Sequence, residues 1–129
     1  MKGFIVIGSN FGNREINIRK AVAFLKSFCK ILRHSDIYES QDNLGFGKNY
    51  LNIVLEIESA FTEQALNEKF KYFEAFSGRD ALRRKRGEVP LDIDIVMCDG
   101  QIRRQQDYDS TYFQIGFNRI MNLESVKLI

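Results

Sequence analysis

The sequence predicts an α+β fold in which two helices cover one face of a mainly antiparallel sheet, in the order β-α-β-β-α-β. Three observations carry this reading. Residues 50–58, "YLNIVLEIE", alternate in parity, with Leu51, Ile53, Leu55 and Ile57 on one side and Tyr50, Asn52, Val54, Glu56 and Glu58 on the other. That is the pattern of a half-buried strand. Two stretches, 15–32 and 62–76, repeat apolar residues at helical spacing. Short apolar runs, "GFIVI" and "LDIDIV", bracket them.

Taken in order, residues 3–7 read as a buried strand closed by Gly8, and "GSNFGN" as the turn after it. Asn13 is a good N-cap for a helix whose face carries Ile18, Val22, Leu25, Cys29 and Leu32. "SDIYES" reads as a second, weaker strand, and the polar, glycine-containing stretch 41–48 as a loop. After the strand at 50–58, Thr62 caps a second helix with Leu66, Phe70, Phe73 and Phe76 on its face, and Gly78 stops it. "RDALRRKRGEV" is a charged loop. "LDIDIVM" is the last strand, with Pro90 at its mouth, where proline is tolerated. The order matches a ferredoxin-like sandwich, which leaves the second sheet face open for a site. Residues beyond 100 resist assignment. No repeat or internal boundary is visible, so residues 1–129 are expected to form one domain.

Composition narrows the function classes. The chain has 129 residues, 44% of them hydrophobic, enough for one core. A formal net charge of +2 implies neither a nucleic acid nor a membrane partner by itself. No apolar stretch approaches a membrane span, and the start lacks a leader's apolar region and cleavage pattern. Two cysteines, Cys29 and Cys98, make no disulfide framework or zinc site and are expected to be buried thiols. These features together lead to the expectation of a cytoplasmic protein, with a monomer as its form.

Asp92 and Asp94 are the sharpest feature, because strands usually exclude Asp. Two residues apart on a strand, they share the face opposite Leu91, Ile93 and Ile95, roughly 7 Å from each other. Carboxylates so close repel unless a cation joins them, and an oxygen-only pair suits Mg²⁺. An exposed edge strand with solvated acids is the alternative. Arg79, Arg83, Arg84, Lys85 and Arg86 precede the pair. Cations beside a metal-binding acid pair suit a polyphosphate, although a solvated charge run or, with Arg103 and Arg104, a nucleic-acid patch would read similarly. Tyr50 and Asn52 project from the same open face and suit a flat heterocycle, one by stacking and one by hydrogen bonding. The only histidine, His34, has no partner at a telling spacing and reads as structural.

"IGSNFGN", "IYES", "NYLN", "FEAFSGR" and "RGEVPLDIDI", in this order over about residues 3–100, resemble the 6-hydroxymethyl-7,8-dihydropterin pyrophosphokinase family of folate biosynthesis. The resemblance implies transfer of pyrophosphate from ATP to the pterin with two Mg²⁺ ions. It implies that Asp92 and Asp94 are the metal ligands and, with Arg79, the catalytic residues. It implies that Ser40, Tyr50, Asn52 and Phe117 line the pterin pocket, and that Glu74, Arg79, Lys85 and Tyr112 serve the nucleotide. Departures accompany it. Where the family reads R-W-G-P-R-T-L-D-L-D this chain has "KRGEVPLDID", with Arg86 for the tryptophan and Val89 for the second arginine. The family's Pro-His-Tyr is matched by "STYF", with Thr111 at the histidine. The nucleotide side is therefore thinned, and two further readings stand beside the enzyme. One is a weak or inactive relative that binds a pterin-like ligand. The other is a small nucleic-acid-binding domain.

Overall fold

A computed structural model describes residues 1–41 and 48–128, with side chains as far as Asn122. The elements are β1 (Lys2–Ser9), α1 (Arg14–Lys26), β2 (Lys30–His34), β3 (Tyr38–Ser40), β4 (Tyr50–Glu58), α2 (Glu63–Phe76), α3 (Ala81–Lys85), β5 (Asp92–Cys98), β6 (Gln101–Ile102), α4 (Gln105–Asp109) and α5 (Thr111–Leu128). The sheet runs β2-β4-β1-β5-β6, with β3 also pairing β4, and every pair is antiparallel. With β5 as the last major strand, this is the strand order of a ferredoxin-like sandwich, and the predicted fold class stands. No described helix is long and apolar enough to cross a membrane. Cys29 and Cys98 are buried free thiols, as expected.

Parity divides the core in two. Ile5, Ile7, Ile53, Leu55, Ile57, Leu91, Ile93 and Ile95 face α1 and α2, which contribute Ile18, Ala21, Leu25, Leu66 and Phe70. The opposite parity, Phe4, Val6, Val54 and Val96, packs with Tyr38 beneath Phe113 and Ile120 of α5. The second face is therefore not left bare: α1 and α2 share one face as predicted, but α5 covers part of the other. Gly116 permits the close approach of α5, since a Cβ there would stand 2.6 Å from a Val54 methyl and 2.8 Å from the Tyr38 ring.

Three local expectations are corrected. The first helix ends at Lys26, where the Ser27 hydroxyl donates to the Phe24 carbonyl and the Cys29 N–H to that of Leu25. Residues 30–34 instead pair with β4, Ile31 opposite Ile57. The charged stretch before β5 contains a five-residue helix, α3, because the Asp80 carboxylate caps it by accepting from the Arg83 N–H. Phe76 lies 77% exposed, although Leu66 and Phe70 are fully buried. Ten residues beyond Leu66, at about 100° per residue, it has rotated off the buried face. The predicted loop at 41–48 falls mostly at 42–47, outside the described residues.

Candidate functional site

The end of the second face beyond α5 is set by strand register. Gly8 of β1 lies opposite Asn52 of β4 on one side and Asp92 of β5 on the other. One rung along, Val6 lies opposite Val54 and Asp94. Tyr50, Asn52, Asp92 and Asp94 therefore share one sheet face, with Asn52 and Asp92 two strands, or about 10 Å, apart. Gly8 is the floor between them. A Cβ on it would stand 3.1 Å from Asn52 Oδ1 and 3.3 Å from the Tyr50 ring, closer than ordinary contact. Ser40 joins this group, its hydroxyl accepting from Asn52 Nδ2 at 2.7 Å. Asn52 is buried, so its amide is fixed rather than swinging in solvent.

The turn after β1 positions the acid pair. The Asn10 side chain donates to the Gly87 carbonyl at 2.8 Å and accepts from the Val89 N–H at 2.6 Å, while the Asn10 N–H bonds the Val89 carbonyl. Asn17 Nδ2 reaches the Pro90 carbonyl at 3.1 Å. Asparagines of "GSNFGN" and the first turn of α1 thus pin the segment that leads into Asp92.

Among the described residues, β5 is paired to β6 only at Met97 and Cys98, so its outer edge at Ile93 needs another partner. The buried carboxylate of Glu74 supplies one, accepting from the Ile93 N–H at 2.8 Å. Glu74 also accepts from Lys71 at 3.1 Å and from Arg79 at 2.9 Å. Arg79 continues to Asp92 at 2.6 Å, and Lys71 to Asp94 at 3.4 Å. Arg104 approaches Asp94 at 3.9 Å. Burial, then the charge of Asp92, pushes the Asp94 carboxyl up to about 8, against the pull of Lys71 and Arg104. Burial opposes charge on Asp92 as well, but the hydrogen bond from Asp94 and the Arg79 guanidinium outweigh it and hold that carboxyl below the usual range. The two carboxyls are therefore pushed in opposite directions, Asp92 toward its charged form and Asp94 toward its neutral one.

The donor set fits magnesium. Its two carboxyls offer oxygen donors only, although no group of three or more His, Cys, Asp or Glu residues that could hold a metal ion occurs among the described residues. Mg²⁺ is commonly held by one or two carboxylates, with water and phosphate completing its octahedron. Two clefts flank the site. One of about 360 Å³ lies beyond Asp94, between Ile95, Arg103 and Arg104 and the first turns of α2 at Glu63, Gln64 and Asn67. The other, of about 550 Å³, lies at the Tyr50 end, lined by Asn10, Gly12, Arg14, Glu39, Lys48 and Asn49.

The residues expected from the sequence separate into groups. Ser40, Tyr50 and Asn52 come together, as do Glu74, Arg79, Asp92 and Asp94, and the two groups share the Gly8 row. Lys85 ends α3, exposed along with Arg84 and Arg86. Tyr112 gives its hydroxyl to Asp107. Phe117 is not brought to the Asn52 row. Its ring packs edge-on against Phe4 at 5.0 Å and stacks with Phe113 at 5.2 Å. Phe4 lies four residues along β1 from Gly8, about 13 Å at strand rise. Sequence reasoning missed Lys71 and Asp107, and named Arg104 only in support of a nucleic-acid patch. The i,i+3 spacing of Lys71 and Glu74 was the one signal available for the first.

The family model of 7,8-dihydro-6-hydroxymethylpterin-pyrophosphokinase matches residues 4–123. The 2-amino-4-hydroxy-6-hydroxymethyldihydropteridine pyrophosphokinase of Aquifex aeolicus is 35% identical over 105 residues, which cover 78% of this chain and 63% of that protein. A folate synthesis bifunctional protein of Arabidopsis thaliana is 30% identical over 94 residues, 71% of this chain and 19% of the relative. One of Chlamydia trachomatis is 37% identical over 97 residues, 70% of this chain and 21% of the relative. The chain thus spans under two thirds of the first relative's length and about a fifth of each bifunctional protein's.

Proposed function

The chain belongs to the 7,8-dihydro-6-hydroxymethylpterin-pyrophosphokinase family, and from that premise we propose that it transfers pyrophosphate from ATP to 6-hydroxymethyl-7,8-dihydropterin. The hydroxymethyl oxygen forms a bond to the β-phosphorus, and the bond from that phosphorus to the α,β-bridging oxygen breaks. The bridging oxygen leaves with AMP, and the hydroxyl proton passes to water. The observation that carries this reading is the Asn52–Gly8–Asp92 row, which sets an amide suited to a heterocycle about 10 Å from an acid pair suited to a metal.

Positioning and charge neutralisation do most of the work in such transfers. Asn52, held by Ser40, reads the edge of the pterin, and Tyr50 offers it a ring face. Asp92 and Asp94 would hold the magnesium. Bound there, the ion aligns and neutralises the phosphate oxygens. Arg79 fixes Asp92 through its bonds to Glu74 and Asp92, and the exposed Arg84, Lys85 and Arg86 offer charge to the nucleotide. Phe117 takes no part in this reading.

A second reading is a relative that binds the pterin but turns over slowly. It is favoured by Arg79 and Lys71, the cations nearest the pair, both already engaged with acids, and by Val89 where the family has arginine. One assay separates the two. AMP should form only when pterin, ATP and Mg²⁺ are all present. Pterin binding by calorimetry without any AMP selects the second reading, and neither signal refutes both.

A further inference from the structure

Arg104 immediately precedes α4 and lines the cleft beyond Asp94. Its guanidinium is half-exposed, yet it is not left to sample solvent. Nε donates to Asp107 Oδ2 and lies 3.9 Å from Asp94. The side chain of Asp107 is only 11% exposed, and its other oxygen accepts from the Tyr112 hydroxyl. The Asp107 carbonyl is held in turn by the Ser110 hydroxyl at 2.5 Å and the Ser110 N–H at 3.1 Å. The Tyr112 carbonyl accepts from the buried Tyr38 hydroxyl on β3. A strut therefore runs from the sheet through α5 and Asp107 to one arginine at the rim of the cleft.

Burying a carboxylate costs several kcal/mol as a rule, and an ion pair with a half-exposed arginine returns little of it. The arrangement does, however, remove the rotamer freedom of a long side chain before any ligand arrives. Among the described residues the bonds of Arg104 run through Nε, so its two terminal amino groups remain for a ligand. Its neighbours differ. Arg103 gives a terminal amino group to Gln101 at 3.2 Å, and Arg79 spends one on Glu74 and Asp92. Two terminal N–H groups beside an acid pair have the planar geometry that matches phosphate oxygens.

Resting on the pyrophosphokinase reading, we infer that Arg104 contacts the polyphosphate of the nucleotide on the far side of Asp94 from the pterin, and that Asp107 and Tyr112 are positioning residues that fix its guanidinium.

Calorimetry of the full chain with Mg²⁺ and inorganic tripolyphosphate, with α,β-methylene-ATP, and with the pterin alone tests this. Losing one charge-assisted contact of about 1.5–3 kcal/mol corresponds to a roughly 10- to 100-fold weaker affinity. Arg104→Gln should lose that much for both phosphate ligands and nothing for the pterin. Arg104→Lys should recover part. Asp107→Asn and Tyr112→Phe should each weaken the phosphate ligands several-fold, and in the Arg104→Gln background should add nothing, since residues acting through one another are not additive. A merely structural strut would instead show the Asp107→Asn loss undiminished in that background. Equal affinity of the parent and Arg104→Gln, or that undiminished loss, overturns the inference. A parent that binds tripolyphosphate through Arg104 but forms no AMP leaves the inference standing and refutes the pyrophosphokinase reading. A parent that binds no phosphate ligand refutes both.

Discussion

Glu74 joins the free edge of β5 to the cations of the acid pair, and its replacement has a calculable consequence. Three donors converge on this carboxylate: the buried Ile93 N–H, Lys71 and Arg79. Its side chain is 4% exposed, whereas Arg79 and Lys71 are 31% and 45% exposed. Removing one partner of a fully buried pair costs about 3–5 kcal/mol. Here the orphaned cations can be rehydrated, so their loss counts at the surface scale, under about 1 kcal/mol each. The Ile93 N–H cannot be rehydrated in place, and leaving it unsatisfied costs about 1–3 kcal/mol. Glu74→Ala should therefore destabilise the fold by about 3–4 kcal/mol. Glu74→Gln keeps one carbonyl acceptor but turns an amide donor toward one of three donors, and should cost about 2 kcal/mol.

Urea unfolding at pH 7 in EDTA measures both, with the exposed Glu68→Gln as a control that should stay within about 0.5 kcal/mol. For a chain of 129 residues, 2 kcal/mol is a fall of about 8 °C in melting temperature. Amide exchange supplies a site-resolved readout. The Ile93 N–H should be protected in the parent and exchange at least tenfold faster in Glu74→Ala. A parent in which Ile93 exchanges as freely as an exposed edge amide, or a Glu74→Ala variant as stable as Glu68→Gln, would refute the edge-partner argument.

Other outcomes follow from the same geometry. Gly8→Ala places a methyl against Asn52 and Tyr50, so pterin affinity by calorimetry should fall about tenfold, or about 1.4 kcal/mol, while α,β-methylene-ATP binds as before. Asn52→Ala removes the bond to Ser40 and should cost about 1 kcal/mol of stability together with most pterin affinity; unchanged affinity would remove Asn52 from the site. In EDTA, the melting temperature should fall as pH rises from 5 to 8. Asp94, facing Asp92, Lys71 and Arg104, has a folded-state pKa raised to about 8, so the stability from its retained proton is complete at low pH and is lost as pH approaches that value. The slope is at most about 1.4 kcal/mol per pH unit. Asp94→Asn should flatten the profile, while Asp92, whose carboxyl is depressed, adds stability that is full at neutral pH and is lost only in acid, below the ordinary carboxylate range.

What was legible in the sequence was whatever a local rule decides. Alternation alone sorted Leu91, Ile93 and Ile95 from Asp92 and Asp94, and Ile53 and Leu55 from Asn52 and Val54, and the register of β1 with β4 and β5 bears both out. Asn13 and Thr62 announced two helix starts, and each side chain accepts the cap bond expected of it. Residues 27–34 misled for a physical reason. Leu25, Cys29 and Leu32 continue a helical period, and an apolar run that short does not distinguish a helix from a strand. A partner edge on β4 decided it. α5 stayed illegible because its buried stripe, Phe113, Gly116 and Ile120, includes a glycine, which reads as an interruption until Tyr38 and Val54 are seen to press on it. The acid pair and Arg79 were visible, but the other two cations that reach the pair were not. Lys71 and Arg104 belong to segments 23 and 10 residues from Asp94 in the chain, and only the packing of α2 and of the turn before α4 along the bare edge of β5 brings them there.

That bare edge explains why the site lies where it does. The second face of the sheet has one parity rule along its length, yet it is greasy at one end and polar at the other. Beneath α5 the rule selects Phe4, Val6, Val54 and Val96. Past the helix it selects Gly8, Tyr50, Asn52, Asp92 and Asp94. Covering the polar end with a further helix would bury the half-exposed Asp92 beside the already buried Asp94, at a cost that apolar packing at about 25 cal/mol per Å² does not offset. Completing the edge with a longer β6 would displace Glu74 from the Ile93 N–H and with it the hold on Arg79 and Lys71. Among the described residues no further helix covers this end, and of its polar groups Asp92 is the one left half-exposed. An oxygen-rich corner with cations fixed around it is the charge layout on which the proposed magnesium-dependent transfer rests.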